Sequence, residues 1–133
     1  MLKNLIKVLS ICSLLLFCNN VQAEFKDWNK TDKILFGSYI GLNVVDIGQS
    51  FDIVHCQKVN PNCNIIERNP FLGPHPSKEK IILYKAAFMG VAYAGLKNTN
   101  PKTRRTTLLL VNAITLTGVV NNHKIGLRFN IRF

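Results

Sequence analysis

The chain has 133 residues, 47% of them hydrophobic, and sets 17 lysines and arginines against 7 acidic residues for a formal net charge of +10. That length holds one small domain beside any leader. The basic excess comes with no nucleic-acid motif and no aromatics interleaved among the basic side chains. It therefore points away from nucleic acid and towards anionic lipid headgroups or acidic envelope polymers.

Residues 1–23 read as a secretory signal peptide. Two lysines without an acid lead an almost wholly apolar run, residues 8–17, and Val21-Gln22-Ala23 places small residues at the −3 and −1 positions of a cleavage site. The mature chain is then residues 24–133, outside the cytoplasm of a bacterium, with 15 basic residues against 7 acidic, a net of +8. Two alternatives stay open. Cys18 could be a lipoprotein cysteine, although the bulky Phe17 precedes it. The segment could also be an uncleaved anchor, although its apolar core falls short of the ~20 residues that span a bilayer.

Three apolar stretches follow, at residues 33–54, 81–96 and 106–120, each without an internal proline and each read as helix. At 100° per residue, Tyr39, Asn43, Asp46 and Ser50 share one face of the first stretch, with Gly37, Gly41 and Gly48 near the opposite line. Gly37 and Gly41 form a small-xxx-small pattern that admits a neighbouring backbone, and the second stretch offers Ala86, Gly90 and Ala94 in return. Packing of the first helix on the second through these residues is the expectation. The second and third stretches are hydrophobic nearly all round, which calls for burial in lipid or protein. They are short for a bilayer, roughly 22–24 Å against a ~30 Å hydrocarbon core, so Lys85 would snorkel towards one end.

Between the first and second stretches lies a loop with four of the five prolines. It contains Cys56 and Cys63 around Asn60-Pro61-Asn62. In an exported chain this pair reads as a disulfide, with a metal site shared with His55 as the weaker alternative. Ser77, just before Lys78-Glu79-Lys80, is a natural N-cap for the second helix. The chain closes on Ile125, Leu127, Phe129, Ile131 and Phe133 alternating with polar residues or glycine, the period of a half-buried strand.

Asp46-x-x-Gln49-Ser50, followed by Glu67-x-Asn69-Pro70-x-Leu72-Gly73-x-x-Pro76-Ser77, resembles a group of small, uncharacterised bacterial and phage membrane proteins. The likeness runs from about Asp32 to the C-terminus. It implies a membrane hairpin and brings no activity with it.

The expected fold is all-α: a small helical hairpin or three-helix membrane-associated bundle, with a Pro-rich loop and a C-terminal extended strand. The first helix would not span, because Asp46, Gln49 and Asp52 make that costly. The cysteine loop then faces the periplasm, and Lys97, Lys102, Arg104 and Arg105 face inward, in keeping with the positive-inside tendency.

Function reads as interaction rather than catalysis. The contact surfaces would be the polar stripe and the Pro-rich loop, the partners membrane lipid and another membrane protein or a second copy, with no cofactor. The alternatives are a small membrane enzyme or metal-binding protein gathering Asp46, Asp52, His55, Glu67 and His75, and a soluble periplasmic helical binding module. The bland counterpart of the metal reading is that Glu67 and Asn69 bond backbone amides and shape the loop. No nucleophile elbow, phosphate loop or His-Glu-x-x-His helix is present.

Overall fold

The computed structural model of the protein describes residues 24–131. The expected signal peptide and Phe133 lie outside the described residues. A single 3-10 turn, Phe25–Asp27, leads into α1 (Lys30–Val59), α2 (Lys78–Lys97) and α3 (Pro101–Lys124). The all-α expectation holds, as three helices.

Each helix is longer than its apolar run, because capping groups rather than hydrophobicity set the ends. Asn29 accepts from the Asp32 amide, Ser77 from that of Lys80, and Asn100 from that of Thr103. Pro101 sits in the first turn of α3, where its missing N–H costs nothing. Lys102, Arg104 and Arg105, three of the four basic residues expected to face inward between the second and third apolar stretches, therefore belong to the start of α3. At the other end of α1 the Asn60 amide makes the last helical bond, to Cys56 O, and Pro61 disfavours any continuation.

α3 ends in a Schellman turn. The Leu127 amide bonds Asn122 O, the Gly126 amide bonds His123 O, and Gly126 takes φ 91°, a left-handed conformation suited to glycine. This turn reverses the tail onto α1 and buries Leu127. The expected C-terminal strand is absent among the described residues. Ile125 and Gly126 are used up in the cap, and Phe129 and Ile131 are exposed rather than sharing a buried face with Leu127.

α1 packs along α3, while α2 rests on α1 and touches α3 less. Two small cores close the ends. Trp28, Leu96 and Leu108 form one, with Leu35, Phe36 and Tyr93 against it. Phe51, Leu72 and Ile81 form the other, with Ile47, Val54 and Tyr84. The small-residue packing expected between α1 and α2 does not occur. Gly37, Gly41, Ala86, Gly90 and Ala94 are exposed, and a Cβ on Gly37, Gly41 or Gly90 would meet nothing within 4 Å. The cause is the rotation of α2, which turns Ile81, Lys85 and Leu96 towards α1 and leaves the alanines outside. Gly48 is the exception, and it is covered by the tail: a Cβ there would collide with the Phe129 ring.

No helix of the described residues is long and apolar enough to cross a membrane. Lys78, Glu79, Lys80 and Lys85 interrupt α2, and Asn112 and the closing Asn121-Asn122-His123 interrupt α3. The hairpin expected from residues 81–96 and 106–120 does not meet the demand of a spanning pair.

Candidate functional site

The polar stripe of α1 was expected to be a contact surface. It points into the bundle instead. Tyr39, Asn43, Gln49 and Ser50 are buried and Asp46 is half-buried. Asp46 joins all three helices: it pairs with Lys85 of α2 and accepts from Asn122 Nδ2 of α3 at 3.0 Å. Lys85 thus reaches sideways to a carboxylate rather than snorkelling to a helix end. Further along, Gln49 Nε2 donates to Val119 O at 3.1 Å, and Asn43 Nδ2 donates to Tyr39 O at 2.9 Å.

At the loop end, Ser50 Oγ donates to Glu67 Oε2 at 2.9 Å, while Glu67 Oε1 accepts from the Asn69 amide at the same distance. Asn69 Oδ1 in turn accepts from the Phe71 amide, and its carbonyl takes the amides of Leu72 and Gly73. Gly73 stands at φ 79°, a conformation that glycine adopts freely. The result seats Leu72 between Phe51 and Ile81, with Lys80 Nζ on Leu72 O at 2.7 Å. Cys56 and Cys63 are bridged, Cα to Cα 5.9 Å, fastening the loop to the last turn of α1. Gln57 Nε2 bonds both Ile65 O and Pro74 O across the loop.

Asp52 serves the tail. Its Oδ2 accepts from the Arg128 amide at 3.0 Å and its Oδ1 from Asn130 Nδ2 at 3.1 Å. Asp46, Asp52 and Glu67 therefore work on three separate tasks and do not converge. Among the described residues no three of His, Cys, Asp and Glu stand where they could hold one ion, so His55 and His75 complete no such group. Within the Asp46–Ser77 motif, Ser50, Glu67 and Asn69 shape and dock the loop, while Asp46 and Gln49 hold α1 to the other helices.

The end formed by the α2–α3 turn carries residues that the pattern did not single out. Asp32 is fully buried beneath Arg104 Nη1 at 3.7 Å and Arg105 Nε at 3.2 Å, and Asn29 Nδ2 donates to it at 3.0 Å. Arg104 is 2% exposed. It lies 4.6 Å over the Trp28 ring and donates to Leu96 O and Thr99 O, satisfying carbonyls at the end of α2. It belongs to the interior rather than to a basic loop. The Asn29-x-x-Asp32 spacing was the one available signal, and it marks a helix start without revealing a partner some seventy residues away.

Turned outward are Ile82, Leu83, Phe88 and Val91 of α2, and Leu109, Leu110, Ile114, Leu116 and Val120 of α3; Leu83 is 73% and Ile114 71% exposed. At the start of α2, Glu79 bonds its own amide and the Ser77 hydroxyl, which holds its carboxyl below the ordinary range. Comparison with family models, with curated proteins and with solved structures finds no match to this chain, and the functional reading rests on its own geometry.

Proposed function

We propose that this is a small exported protein of the bacterial inner membrane that acts by contact rather than catalysis. Its partners are lipid and another membrane protein or a second copy of itself. The observation that carries this reading is the apolar outer surface of α2 and α3, set beside polar groups held in the interior. Asp32, Asn43, Gln49, Ser50, Thr99 and Arg104 are buried, whereas the outer faces of α2 and α3 are largely apolar. In water an exposed apolar surface of that extent marks an interaction site. In lipid it needs no other cover, and polar groups are then satisfied inside, carboxylate on ammonium. The Asp46–Lys85 pair fits that requirement. The Cys56–Cys63 loop would face the periplasm, where a bridge persists.

A second reading has an observation of its own. Since no described helix is long and apolar enough to cross a membrane, a periplasmic helical module with its apolar faces laid on a partner is the alternative. Fractionation separates the two. The expected result is retention in the membrane pellet through alkaline carbonate, with release only by detergent. Recovery in osmotic-shock fluid would sink the inner-membrane reading. The non-reduced intact mass of the same fraction is expected to begin at Glu24 and to lack the hydrogens lost on closing the Cys56–Cys63 bridge. A species that keeps Met1, or carries lipid on Cys18, overturns cleavage before Glu24.

A further inference from the structure

Where the tail folds back over α1, it and the end of α3 enclose an open cleft of roughly 530 Å³. Its walls are mainly apolar, with Val45 from α1, Val119 and Val120 from α3 and Phe129 from the tail, and Gln49 of α1 is the polar residue among them. Its rim is basic, with Lys124 and Arg128 beside the His123 imidazole, and no acidic side chain is among its lining residues. Asp52 of α1, the carboxylate that holds the tail, has both oxygens engaged by the Arg128 amide and Asn130. It holds the Arg128 backbone in place and leaves the guanidinium to the rim. Beyond the cleft the apolar lining continues without a charge along the outer face of α3, through Val120 and Leu116 to Ala113 and Leu109.

We infer that this cleft binds an anionic phospholipid. Lys124, Arg128 and His123 receive the phosphate, and an acyl chain starts on Val119, Val120 and Phe129 and runs down the outside of α3. Two features select this occupant. The rim is complementary to a single-sign anionic headgroup, and the walls below it, Gln49 apart, are apolar and of chain-like extent. A free phosphate would use the rim and leave the apolar walls uncovered. A neutral lipid would use the walls and leave the two cations without a counter-charge. The inference rests on the membrane reading above and names the lipid class that the bundle takes.

The test uses the full chain and flotation with two vesicle types, phosphatidylcholine alone and phosphatidylcholine doped with phosphatidylglycerol. The wild type is expected to float with both and to prefer the doped vesicles. Lys124→Ala with Arg128→Ala is expected to lower that preference by roughly thirtyfold, since each cation near an anionic surface is worth about a fivefold effect. Both side chains are exposed, so the fold should survive, and circular dichroism checks it. The charge-keeping Lys124→Arg with Arg128→Lys should retain the preference. Lys97→Ala with Lys102→Ala removes the same charge at the opposite end and should leave the preference nearly intact. Equal losses from the two alanine pairs would mean diffuse attraction and would overturn the site. So would suppression of vesicle binding by inorganic phosphate at constant ionic strength, which would make the rim a phosphate site. Flotation without any headgroup preference overturns the lipid site and keeps the membrane reading, whereas no flotation with either vesicle overturns both.

Discussion

The two ends of the bundle are closed by different physical means. At the α2–α3 turn, a carboxylate with no exposure faces two guanidiniums, and one of these is sealed under an indole. At the loop end, Glu67, Asp52 and Asn69 accept from backbone amides near the surface, and a disulfide adds a covalent tie. The first arrangement fails as a unit, because removing one charge strands another in the interior. The second is a set of separable contacts, each worth a modest amount. In sequence terms, the loop's own contacts join near neighbours, whereas Asp32 meets guanidiniums some seventy residues away; Asp52, which holds the tail, is the long-range contact of the loop end.

Breaking the buried end should have the largest effect. Asp32→Ala leaves Arg104 without its carboxylate at 2% exposure, and the expected loss is about 3–5 kcal/mol. Chemical denaturation of the full chain measures it. A loss below about 1 kcal/mol would mean that Arg104 is held by the Leu96 and Thr99 carbonyls and Trp28 alone, and the contrast between the ends would collapse.

At the loop end, reduction of Cys56–Cys63 removes a bridge between residues seven apart, for an expected loss of about 2–3 kcal/mol. Glu67→Ala deletes two acceptors, those of Ser50 Oγ and the Asn69 amide. About 2 kcal/mol is the expected cost, read as a lower denaturation midpoint. Limited proteolysis sharpens the comparison. Either change should open cleavage within residues 60–77 while helical content stays near wild type, whereas Asp32→Ala should lower helical content as well. Loss of helix from the Glu67 change alone would show that the loop holds the bundle together rather than resting on it.

This difference also explains what could be read from the sequence. The three helices follow from apolar runs and caps, and Ser77 is a cap because its partner lies three residues on. The Cys56–Cys63 bridge and the loop-shaping role of Glu67 and Asn69 are legible for the same reason. The polar line Tyr39–Asn43–Asp46–Ser50 was also legible as a line. Its direction was not, because a helix periodicity gives the angle between residues and not the bearing of the stripe. That bearing depends on Lys85 and Asn122, which reach Asp46 from other helices. The same ambiguity sent Gly37, Gly41, Ala86, Gly90 and Ala94 to the wrong side. The tail misled by period: Ile125 and Leu127 do fit an alternation, but Gly126 turns the chain into a helix cap before a ladder can form.

The smallest expected effect concerns the cap of α2. Glu79 is fully exposed, and bonds to its own amide and to the Ser77 hydroxyl hold its carboxyl below the ordinary value of 4.5. A depressed carboxyl means that the ionised form is favoured in the folded helix, where it also faces the positive end of the helix dipole. Its contribution is therefore present in full above the ordinary carboxylate range and fades as pH falls through the lowered folded value. Glu79→Gln should lower the melting temperature slightly at pH 7, and the gap between variant and wild type should close on acidification. A gap that stays constant with pH would assign the effect to helix propensity or packing rather than to charge. Asp32 supplies the contrast within one molecule: its carboxylate has a buried guanidinium to neutralise, whereas that of Glu79 has water on every side not taken by the cap.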